Sequence, residues 1–126
     1  MLFSARGARS PRSADNELYD RGCDLVEAAV AIHRSALDPA AASAVPAVLG
    51  CLEAALNELS RACTTLQEGS MQPPASAGDA GQQAVVERME QGLTNLRVAL
   101  EDAESASRAA RSLAARRLAA AQRVAR

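Results

Sequence analysis

The chain has no lysine and no tryptophan, and only one histidine, one phenylalanine and one tyrosine. Each scarcity excludes something. With so few aromatic and β-branched residues, and no run of period-two alternation between hairpin turns, a β-sheet has little to pack with. A single histidine, His33, supplies neither the paired Glu-x-x-His elements of a carboxylate-bridged di-iron bundle nor the two or three histidines of a zinc hydrolase. On the apolar side of a helix it reads as a packing residue. The three cysteines, Cys23, Cys51 and Cys63, form no C-x-x-C pair and leave an odd thiol in any disulfide scheme. They read as reduced, buried thiols, which places the protein in the cytoplasm.

Long apolar runs are also missing. Met1 to Ala14 lacks the apolar core of a signal peptide. The longest uncharged stretch, Pro39 to Leu52, contains two prolines and is shorter than a membrane span requires. The expectation is a soluble protein with no membrane span. No motif for catalysis, a metal or a nucleotide stands out, so neither an enzyme nor a cofactor is expected. The acidic group Glu101, Asp102 and Glu104 reads as a solvated helix face.

What remains is helix. The apolar fraction is 48%, drawn mostly from Ala, Leu and Val, and small side chains favour helices that approach closely. In the last third, Val86, Met89, Leu93, Leu96, Leu100, Ala103, Ser107, Ala110 and Ala114 alternate by three and four residues along one stripe. The stripe Val45, Leu49, Leu52, Leu56, Leu59, Cys63 and Leu66 does the same earlier. A wider face runs through Leu18, Leu25, Ala29 and Ile32, with Tyr19, Cys23, Val26, Val30 and His33 beside it. The predicted fold is all-α: an up-and-down bundle of three main helices with a long, protruding C-terminal helix. A basic arm occupies residues 1–13, disordered by its Gly, Pro and Ser. The bundle takes residues 14–105, with helices near 15–37, 45–68 and 82–105. Residues 39–45 are expected as a separate short turn, a short fourth helix or, because of Pro46, a kinked lead-in to the second helix, with Asp38 able to cap and Pro39 suited to the first helical position. Gly69 is expected to cap the second helix, and residues 69–81 to link it to the third, which Asp79 and Gln82 would open as a capping box.

All fourteen basic residues are arginine, a bias that, with the abundance of Ala, fits a GC-rich genome. The net charge of -1 hides a partition. Residues 1–12 and 105–126 contain no acid, so all fifteen acids face only five arginines in the middle. Residues 106–126 are read as a basic, amphipathic extension of the last helix. On it Arg108, Arg111, Arg116, Arg123 and Arg126 fall within about 140 degrees of arc. Ala110, Leu113, Ala114, Ala121 and Val124 lie opposite, with Arg117 intruding on the apolar seam.

An isolated Ala-rich helix of that length is only marginally stable in water, so a partner is expected. The function expected is helix-to-helix association without catalysis, through a homo-oligomer or another helical protein in a coiled coil. One alternative is electrostatic, nonspecific binding of nucleic acid or another anionic surface by the Arg tail, which has no aromatic residues to stack on bases. A second is a small-molecule or haem-binding bundle with His33 near a cavity.

Overall fold

The computed structural model describes residues 11–70 and 80–125. The chain is all-α, as expected: three main helices, α1 (Pro11–Ala36), α2 (Val45–Ser70) and α3 (Ala80–Ala125), with a 3-10 segment at Pro39–Ala44 between the first two. Among the described residues there is no strand. The chain divides into two compact units, Met1–Ala42 and Ser43–Arg126.

In the first unit, α1 begins at Pro11, earlier than the acids Asp15 and Glu17 suggest. Proline lacks a backbone N–H and has a preset φ, which suits it to the first helical position, where that N–H has no partner anyway. So Pro11 to Ser13 belong to the helix; the rest of the basic arm lies outside the described residues. The helix ends by tightening: the Leu37 and Asp38 amides donate to the carbonyls of Arg34 and Ser35, at 3.3 and 3.2 Å. Asp38 then caps the 3-10 segment. Its Oδ1 accepts from the Ala40 amide at 2.9 Å, and its carbonyl from the Ala41 amide at 3.0 Å, so this segment starts where the Asp38 side chain and Pro39 predict.

In the second unit, Val45 opens α2, and Pro46 falls in the first turn, where its missing donor breaks no helical bond. Gly69 does not cap this helix. It lies inside α2, which continues to Ser70, and no glycine among the described residues has a positive φ. The expected capping box at Asp79 lies outside the described residues.

α2 and α3 pack side by side and antiparallel, with residue numbers falling on one as they rise on the other. Gln67 Nε2 donates to Thr94 Oγ1 at 2.9 Å, Asn57 Nδ2 to Glu104 Oε1 at 3.3 Å, and Ser107 Oγ to the Leu49 carbonyl at 3.0 Å. The seam is built of small residues. Cys63, Ser60 and Ser107 are buried, and Leu49, Leu52, Leu56, Leu59, Leu93 and Leu100 are half-buried around them. Small side chains at the contact let the two backbones approach, so a serine can reach across to a carbonyl of the other helix.

The register sets how much of α3 lies beyond α2. With Asn57 beside Glu104, Val45 falls level with about Arg116, since both helices rise 1.5 Å per residue. Of the 46 residues of α3, the last nine or so, roughly 14 Å, pass the start of α2. Sequence alone places the departure near Ser105; α2 accompanies α3 past Ser107, and Ala114 and Leu118 are still half-buried.

Candidate interaction surface

The arginines of the last helix divide into two groups. Arg108 and Arg111 turn inward to α2. Arg108 Nε lies 2.8 Å from Glu53 Oε1 and its Nη2 lies 3.1 Å from Glu104 Oε1. Arg111 Nη2 lies 3.0 Å from Glu53 Oε2, close enough for charge pairing although the geometry gives that oxygen no aligned hydrogen bond. The hydrogen bond to Glu53 first, then its charge and that of Glu104, raises the Arg108 guanidinium further above its ordinary value. Arg116, Arg117 and Arg123 stand exposed, with no ion pair among the described residues. Arg126 lies outside those residues.

The apolar members of the predicted surface divide in the same way. Ala114 is half-buried. Ala110 and Ala121 are exposed, and so are Leu113 at 63% and Val124 at 88%.

Glu104 departs from the sequence reading. Its side chain is only 16% exposed and accepts from both Arg108 and Asn57, whereas its neighbours Glu101 and Asp102 are exposed. The arc of α3 that meets α2 is rotated from the aliphatic stripe toward Thr94, Arg97 and Glu104, all half-buried. Met89 and Leu96, on the opposite edge, are exposed as a result. Glu53 is not singled out by sequence because it interrupts no pattern. Its one legible signal is its place a single step from Leu52 and three from Leu56, on the shoulder of the α2 stripe.

The pair therefore has two unlike sides. At about 100 degrees per residue, Glu53, Asn57, Thr64, Glu104 and Arg108 gather along one edge. Val48 and Leu66 on α2, with Val85, Met89 and Leu96 on α3, gather along the other and are exposed. In α1, Leu18, Tyr19, Leu25, Val26, Val30 and Ile32 are exposed as well.

Of the thiols, Cys63 is buried as expected, but Cys23 and Cys51 are exposed. His33 is exposed too, where the sequence expects a packing residue. Among the described residues no three His, Cys, Asp or Glu side chains group to hold a metal. An open depression lined by Arg34, Ser35, Asp38, Ala40 and Ala41 lies along the turn after α1. An 18-residue window within Pro39–Gly69 reaches a mean hydropathy of 1.5. By length and composition that stretch is apolar enough to cross a membrane, although counting uncharged residues alone puts it short. The same property belongs to the mostly buried core helices of soluble proteins, whereas none of this window is buried; the stretch also carries Glu53, which meets α3.

No family model matches this chain, and neither does a curated protein or a solved structure.

Proposed function

We propose that this protein acts by helix-to-helix association, without catalysis, in the cytoplasm, and that its first partner is a second copy of itself in a coiled-coil arrangement. One observation carries the reading: large aliphatic side chains stand in solvent along helices whose periodicity is built for packing. Leu18, Leu25 and Ile32 on α1, and Val85, Met89, Leu96 and Leu113 on α3, are all exposed. Each such side chain gains about 1.5–3 kcal/mol on full burial, and exposed aliphatic side chains gathered along one edge of a helix mark an interaction surface. The test is the mass of the full chain by light scattering at tens of micromolar. A multiple of 13.1 kDa is expected; a monomer throughout that range overturns self-association.

The exposed Arg116, Arg117 and Arg123 favour a second reading, attraction to phosphate. Binding would then be nonspecific and fall steeply with salt. Retention of duplex DNA or RNA at 50 mM salt that vanishes near 200 mM is its signature. Absence of retention at the lower salt removes it.

A further inference from the structure

We infer that α3 pairs with α3 of a second copy, antiparallel, about a two-fold axis lying between Ala109 and Ala110. This rests on the self-association proposed above and names one surface for it, which takes in Leu113 and leaves the other exposed aliphatic residues of α1 and α3 outside. Asp102, Ala106, Ala110, Leu113 and Arg117 are all exposed and fall within about 80 degrees of one another on the helix. That arc lies roughly a third of the circumference away from Leu100 and Ser107, which face α2. The pairing therefore leaves the α2 contact intact.

The stripe is its own complement. An isologous interface requires that residue i meet residue j while j meets i. In two antiparallel helices of equal rise, paired residues lie at equal distances on either side of the axis. Asp102 and Arg117 satisfy this about the midpoint of Ala109 and Ala110, and so do Ala106 and Leu113. Further out, Ala99 meets Ala120, and Asn95 meets Val124.

Charge decides the direction. Antiparallel pairing sets each Asp102 beside the other copy's Arg117, twice per dimer, with Arg116 close by. Parallel pairing would set Asp102 on Asp102 and Arg117 on Arg117, which costs energy. Neither side chain has an ion pair within the chain among the described residues. Alanines at the axis permit close approach, and each Leu113 lies over an Ala106, a large residue facing a small one. Arg117, which interrupts the apolar seam when α3 is considered alone, acquires its partner in this arrangement.

The experiment is a charge exchange in the full chain, with sedimentation velocity measured at tens of micromolar in about 50 mM salt. Arg117→Asp and Asp102→Arg, each alone, are expected to raise the dimer dissociation constant by about tenfold or more, because each replaces two attractions with two like-charge contacts. The double variant D102R/R117D restores the wild-type constant. Both positions are exposed on one helix, and unchanged far-ultraviolet helicity confirms folding; Ala110→Glu, at the axis, is a further disrupting variant that involves neither charge. A wild-type dimer that both single variants and Ala110→Glu leave unaltered overturns this surface while self-association stands. A wild-type monomer overturns both. Single variants that dissociate without recovery in the double overturn the Asp102–Arg117 pairing.

Discussion

Arg108 of α3 lies with its Nε 2.8 Å from Oε1 of Glu53 on α2, and this contact joins residues that the sequence places in unrelated roles. The carboxylate is 15% exposed and the guanidinium 56%. The pair is thus solvated on one side and enclosed on the other. Arg111 approaches the same carboxylate at 3.0 Å, so Glu53 answers two cations that would otherwise repel each other on one helix face.

Glu53→Ala is expected to lower stability by about 1–2 kcal/mol, since it removes a charge-assisted hydrogen bond and leaves two neighbouring cations unneutralised. Arg108→Ala should cost less than that, because its exposed guanidinium is screened by water. Urea unfolding monitored by circular dichroism measures both, and equal losses would show that enclosure of the carboxylate is unimportant.

Gly50→Ala should stabilise the protein by about 0.5–1 kcal/mol, the usual gain over glycine inside a helix. A Cβ built at Gly50 meets Arg111 Cδ and Nη1 at 3.5 Å, an ordinary contact with a movable side chain. A rise in the urea midpoint checks this. A fall would mean that the helices are closer at this point than the hairpin register allows.

Ser107 is 9% exposed and donates to the Leu49 carbonyl at 3.0 Å. Ser107→Ala should cost about 0.5–1.5 kcal/mol for the lost bond. Ser107→Leu should cost more, about 1–3 kcal/mol or above, because the seam has no room for a branched chain. Thermal unfolding of the two variants, compared at equal concentration, ranks them.

The thiols should react with a thiol reagent in two classes. Cys23 and Cys51 are exposed and Cys63 is buried, so a maleimide or disulfide reagent is expected to modify two sites quickly and the third only on the timescale of opening. Mass spectrometry of the labelled peptides assigns them. Rapid modification of Cys63 would contradict the packing of α2 on α3.

Much of this fold is legible from periodicity. Alternation by three and four residues suffices to make a segment helical, because it places every large side chain on one side of a cylinder. Asp38 and Pro39 announce the break between the first two helices by simple stereochemistry, and the structure starts its 3-10 segment there. Local signals are weaker at the ends. Gly69 resembles a cap in the sequence, yet nothing about glycine forces a helix to stop, and α2 runs through it to Ser70.

The candidate surface is legible in part. The sequence alone determined that residues after Ser105 carry arginine and alanine in place of acid and leucine, and that this stretch is amphipathic. It could not determine which arc of α3 meets α2, because the apolar face is wider than one helix contact needs. Only the packing chose the arc holding Thr94, Glu104 and Ser107, which left Met89 and Leu96 in solvent. The sequence suggests an up-and-down bundle, but a linker of this length permits either direction of α3 relative to α2, and the packing settled it. Antiparallel pairing then brought Arg108 and Arg111 to Glu53 and left Arg116, Arg117 and Arg123 outside. Charges that look alike along a sequence differ in the folded chain because a side chain can be neutralised only by what the neighbouring helix places within its reach.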